Sequence, residues 1–137
     1  MSPLVRRVIA VIIGCAVAIG IVRLLEQLAH QVTMPAGLDP TNIGQVKLAL
    51  ERGEFPLASL ALVLCGWLLA AYAGSRIAAR IGQARIASLA FTVIFTAVII
   101  HDLTLLPHPT WMWIGGALGV PLVALGAAGE SITVRGL

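Results

Sequence analysis

The chain has 137 residues, 59% of them hydrophobic and 11% charged, with a formal net charge of +3. Its mean hydropathy is +1.00. A soluble domain is about 45–50% apolar and about 25% charged, so the composition excludes a water-soluble globule, a disordered chain and a coiled coil, and the length bounds the chain to one domain, residues 1–137.

Four apolar stretches follow one another along the chain. They cover about 8–28, 57–75, 86–106 and 111–129. A helix rising 1.5 Å per residue needs about 20 residues to cross about 30 Å of hydrocarbon, and all four have that length. Backbone groups in lipid must bond within their own segment, which makes each stretch a helix. The runs do not alternate apolar with polar residues, so a β-barrel is excluded. The predicted fold is all-α: a four-transmembrane-helix bundle in a lipid bilayer.

The first stretch begins after Arg6 and Arg7, and Ile12-Ile13-Gly14-Cys15 resembles a lipobox. The segment beyond Cys15 stays apolar to Val22, which favours a membrane span over a cleaved leader. Cys15 and Cys65 both lie inside apolar runs and read as packing residues, with no second ligand at metal or disulfide spacing.

The loop 31–55 carries a predicted amphipathic helix over about 40–52. Asp39 is its expected cap and Pro40 its first residue. Ile43, Val46 and Leu50 form an apolar stripe, Lys47 and Glu51 an i, i+4 pair, and Gly53 ends the helix before Pro56. Such a helix suits the membrane surface.

Orientation follows from Lys and Arg in the short flanks. Arg6, Arg7, Arg76, Arg80, Arg85 and Arg135 fall on one side, and Lys47 and Arg52 on the other. Both termini are therefore expected in the cytoplasm, with loops 31–55 and 107–110 outside a bacterial inner membrane. Trp111 and Trp113 then sit at the outer interface.

Small residues recur at four-residue spacing: Ala70, Gly74 and Ala78; Ala71, Ser75 and Ala79; Gly115 and Gly119. Such rows let helix backbones approach, within the bundle or in a homo-oligomer. Pro121 is expected to kink the fourth span. Trp67 and Tyr72 are given no ligand role.

Ionisable residues inside spans are costly and need a reason. Arg23, Glu26, Gln27 and His30 fall within roughly a 100° arc at the outer end of the first span. Asp102 ends the third span beside His101, and His108 follows in the outer turn. These predict a candidate outer polar cluster of Arg23, Glu26, His30, Asp102, His101 and His108. The sharpest expected pairing is Arg23 with Asp102 across helices, and Glu26 couples to His30 along one face. The preferred reading is mutual neutralisation that fixes helix register. The alternatives are a transport or proton-relay site, and a metal site of His30, His101, His108 and a carboxylate.

No nucleophile elbow, zinc-protease, phosphate-loop or dinucleotide motif is present, and no cofactor is implied. Basic residues form no aromatic-studded stripe for nucleic acid. The chain reads as a non-enzymatic accessory or structural membrane subunit. The alternative is a small oligomeric transporter or proton-coupled carrier. The expected partners are the bilayer and a second copy or another membrane protein.

Glu26 and His30 ending the first span, Pro35-Ala36-Gly37-Leu38-Asp39-Pro40, and Leu106-Pro107-His108-Pro109-Thr110-Trp111 together resemble a group of small bacterial four-span membrane proteins with no assigned activity. The resemblance covers nearly the whole chain and implies fold and location, not a reaction. Two differences stand out: Asp102 where an Asn is expected, and a single proline before Ala36. The carboxylate midway along the first span that marks small multidrug exporters is missing, because Glu26 lies near the end.

Overall fold

A computed structural model describes residues 1–33 and 35–133. The elements are α1 (Pro3–Thr33), α2 (Ile43–Glu51), α3 (Leu57–Gly82), α4 (Arg85–Leu105), α5 (Thr110–Ile114), a π-helical turn (Gly115–Gly119) and α6 (Val120–Thr133). Among these residues there is no strand. Four helical segments are long and apolar enough to cross a membrane, the last formed by α5, the π turn and the start of α6. The chain is thus a four-span α-helical bundle with one short helix in its first loop. Arg135, used in the orientation count, lies outside the described residues.

The first two spans outrun their apolar cores. α1 has 31 residues, about 46 Å of helix, which is longer than the hydrocarbon layer. α3 continues past residue 75 to Gly82. Its last turns carry Arg76 and Arg80, whose long stems let the charged heads reach water.

The short helix starts later than its sequence suggests. Asn42, not Asp39, is the cap: its side chain accepts from the Gln45 N–H at 3.2 Å. Asp39 is engaged elsewhere, accepting from the Thr41 N–H at 2.9 Å and the Thr41 hydroxyl at 2.7 Å. That local turn competes with helix and keeps Pro40 and Thr41 out of it. The helix ends as expected at Gly53, whose φ is +65°. Gly53 N–H bonds Leu50 O and Glu54 N–H bonds Ala49 O, a Schellman arrangement. The Lys47–Glu51 pair does not form. A different pair, Arg52 and Glu54, lies at 3.7 Å, and exposed pairs of this kind contribute little.

α3 is the central helix, packed on α1, α4 and α6. Its small-residue rows are buried and make the contacts. A Cβ on Gly14 would sit 2.8 Å from Gly74 O, and one on Gly74 would sit 2.9 Å from Gly14 O and run into the Phe91 ring. Backbone therefore touches backbone where α1 crosses α3. The Gly115–Gly119 row packs on Leu64 and Leu68 of α3. These rows serve packing inside the bundle.

The irregularity expected at Pro121 falls just before it, as the π turn. Val120 N–H bonds Gly115 O, five residues back. Pro121 has no N–H and its ring crowds the preceding turn, and a widened turn relieves both.

Chain direction sorts the charges into two ends. Gly82, Ala87, Ala10 and the Arg7 backbone converge at one end, which also holds the α1 and α4 starts with Arg6, Arg7 and Arg85. The other end holds α2 and the α4–α5 turn. Between them the outward surface is aliphatic: Ile12, Ile19, Leu69, Val93, Leu118 and Leu122 are each more than half exposed. Water would not tolerate such a belt, and a bilayer requires it.

Candidate functional site

The α2 end encloses a cavity of about 330 Å³, at the lower end of the ligand-pocket range of about 300–1,000 Å³. Helix α1 contributes Arg23, Glu26 and His30, and α4 contributes Asp102. The α4–α5 turn adds His108, and α3 adds buried Ser59. The apolar stripe of α2, Ile43, Val46 and Leu50, also lines it. That stripe was expected to rest on the membrane surface. It also lines this mainly apolar cavity, which gives the short helix a place in the site.

Five of the six polar-cluster residues thus share one chamber. His101 does not: it is exposed and absent from the lining. One helical step from Asp102 rotates a side chain by about 100°, enough to turn His101 outward.

The expected Arg23–Asp102 pair does not form. Arg23 Nη1 meets Glu26 Oε2 at 3.7 Å, three residues on along α1, and the Arg23 side chain is 81% exposed. The carboxylate one turn along its own helix is the one it meets. Glu26 and His30 line the same wall without an ion pair. Among the described residues no Lys, Arg or His nitrogen lies within ion-pair distance of the half-buried Asp102. Nor do any three His, Cys, Asp or Glu side chains gather closely enough to hold a metal ion, which removes the geometric basis for the four-ligand metal alternative.

His108 is held by its own turn. Leu106 O accepts the His108 backbone N–H at 2.8 Å and Nδ1 lies 3.0 Å from the same oxygen. A carbonyl only accepts, so Nδ1 carries the proton there and Nε2 is the ring nitrogen left over. Pro107 at the middle of this tight turn presets the bend. The His108 ring stands edge-on to Trp67, centroids 5.8 Å apart at 63°. Trp67 is 2% exposed.

A second cleft of about 320 Å³ lies beside the first and shares Arg23, Glu26 and Asp102 with it. Its other walls are apolar, from α1, α3 and α4. Trp67 and this cleft were missed in the sequence. The available signal was a lone indole in the second span, which reads equally well as packing.

In the opposite half of the bundle buried hydroxyls tie three helices together. Ser75 Oγ donates to Ala124 O at 2.5 Å and lies 2.7 Å from Ser88 Oγ. Both serines are fully buried, and Phe91 stacks on Phe95 beside them, 5.4 Å apart. The chain matches no family model, no curated protein and no solved structure.

Proposed function

We propose that this chain is a non-enzymatic accessory protein of a bacterial inner membrane that holds a small ligand on the outer side. In this reading both chain ends are cytoplasmic, and the chain belongs with the small four-span proteins it resembles. The observation that carries it is a chamber lined by two carboxylates and two histidines, covered by α2, at the end away from the terminal arginines. Cations on one flank favour a cytoplasmic assignment for that flank. Intramembrane carboxylates that line a cavity mark function more often than scaffold.

A carrier working as an oligomer is the second reading, and the cavity reaching Glu26 favours it. The Ser75–Ser88–Ala124 contacts and the Phe91–Phe95 stack pack the interior of the other half. That supports one-sided binding over passage through a single copy.

Cysteine labelling tests the reading. In a background with Cys15 and Cys65 replaced by Ala, Asp102→Cys is treated with a membrane-impermeant maleimide in intact spheroplasts. It should react, and Ala124→Cys should not. Reaction of Asp102→Cys only after the membrane is opened would overturn the outer-side assignment.

A further inference from the structure

We infer that the two adjoining cavities form one site for an amphiphile with a single ammonium head and an alkyl tail, drawn from the bilayer. The inference rests on the outer-cavity reading and names the ligand class.

Charge selects the head. Two carboxylates, Glu26 and Asp102, line the site with two imidazoles, His30 and His108, and one guanidinium, which lies 3.7 Å from Glu26. Asp102 is the carboxylate left without an ionic partner, in a half-buried position where a lone charge is costly. A monocation in the chamber supplies what Asp102 lacks. The Trp67 indole borders the second cleft, and an indole face attracts an ammonium group.

The second cleft selects the tail. Past Arg23, Glu26 and Asp102 its lining is Ile19, Val22, Phe95, Val98 and Ile99 with Trp67. None of these side chains can bond a polar group except through the indole N–H. Ile19 and Val98 are each more than half exposed, on the belt that faces lipid, so the cleft opens sideways toward acyl chains and not only toward water. The two cavities meet at Arg23, Glu26 and Asp102, which line both, so a head seated at that junction joins a tail lying in the laterally open slot.

The test uses the full chain in phosphatidylcholine nanodiscs, with Trp111→Phe and Trp113→Phe so that Trp67 is the only indole. The probe is an alkyltrimethylammonium whose tail carries bromine, which quenches a neighbouring indole. Quenching should saturate. Asp102→Asn should shift half-saturation about tenfold upward, through the loss of the ion pair between the carboxylate and the quaternary head. Val98→Trp, at an exposed position, should fill the slot and abolish saturation, read in a variant with Trp67 retained and the added indole's linear background subtracted. A brominated alkyl carboxylate should quench only in proportion to its bulk concentration. Tetramethylammonium in the water phase should compete weakly. Equal saturation by the carboxylate, or an unshifted curve for Asp102→Asn with a native melting profile, overturns the ammonium assignment. Full competition by tetramethylammonium overturns the bilayer source. If Asp102→Cys labels from outside and no saturable quenching is seen, the ligand class fails alone. If Asp102→Cys does not label from outside, the underlying reading fails.

Discussion

Arg23 meets Glu26 at 3.7 Å along α1 and leaves Asp102, across the chamber, without an ionic partner among the described residues. An exposed pair within one helix contributes about 0–1 kcal/mol. Arg23→Gln should therefore lower stability by less than about 1 kcal/mol, read by thermal unfolding in maltoside micelles. A much larger loss would make Arg23 an anchor between helices. Asp102→Asn should leave the melt unchanged or raise it, because it breaks no folded-state ion pair and removes a lone half-buried charge.

The α1–α3 crossing should be far less forgiving. Gly14 and Gly74 face each other's backbone carbonyls. Gly14→Ala and Gly74→Ala should each cost about 1–3 kcal/mol, as overpacked contacts do. Gly20 and Gly126 have open space where a Cβ would go, so Gly20→Ala and Gly126→Ala should be neutral or better in the same assay.

The buried hydroxyls of Ser75 and Ser88 tie α3, α4 and α6 together. Interhelical hydrogen bonds in membrane proteins average about 0.6 kcal/mol and reach about 1.7. Ser75→Ala should lie near the upper figure, since Ser75 contacts both Ser88 and Ala124, and Ser88→Ala nearer the lower. The reverse order would mean that the Ala124 contact contributes little.

Much of the architecture was legible in the run lengths, because oil forces each stretch of about 20 apolar residues into helix. Glu26, His30 and Asp102, which line one cavity, stand out in the sequence for the same reason: a polar group is conspicuous where it is costly. What the sequence hid was partner choice. Arg23 has two carboxylates within a plausible span, and it meets Glu26, three residues on along its own helix. Asp39 and Asn42 are both good caps, and Thr41 removes Asp39 from the contest by offering it two donors. The α2 stripe announces a buried face without saying what it buries. Ser75 is legible as one of a row of small packing residues, but nothing in the sequence pairs its hydroxyl with Ser88 on the next span.

The Asp39 turn has a pH signature. Bonds from the Thr41 hydroxyl, then from the Thr41 N–H, hold the Asp39 carboxyl below the usual aspartate range. A depressed folded value means the turn is favoured at neutral pH and loses that support only as pH falls through the depressed value. The Asp39 carboxyl resonance should titrate below that of aspartate in a short peptide. A midpoint at or above the peptide value would mean the turn does not persist in solution.

The α3–α4 link holds Gln83 at φ +48°, a region costing an L-residue roughly 1–2 kcal/mol. Gln83→Gly should raise the melting temperature. Gly82→Ala should lower it, since an added Cβ would lie 2.6 Å from the Ala87 Cβ.

Side-resolved labelling of four single-cysteine variants, in a background lacking Cys15 and Cys65, is the most direct check on the membrane fold. Ser2→Cys and Gln83→Cys mark one end of the bundle, and Thr41→Cys and Thr110→Cys the other. In intact spheroplasts an impermeant maleimide should reach Thr41→Cys and Thr110→Cys and spare Ser2→Cys and Gln83→Cys until the membrane is opened. Labelling of Ser2→Cys and Thr41→Cys from the same side, or of all four without opening the membrane, would contradict a four-span bundle with its chamber outside.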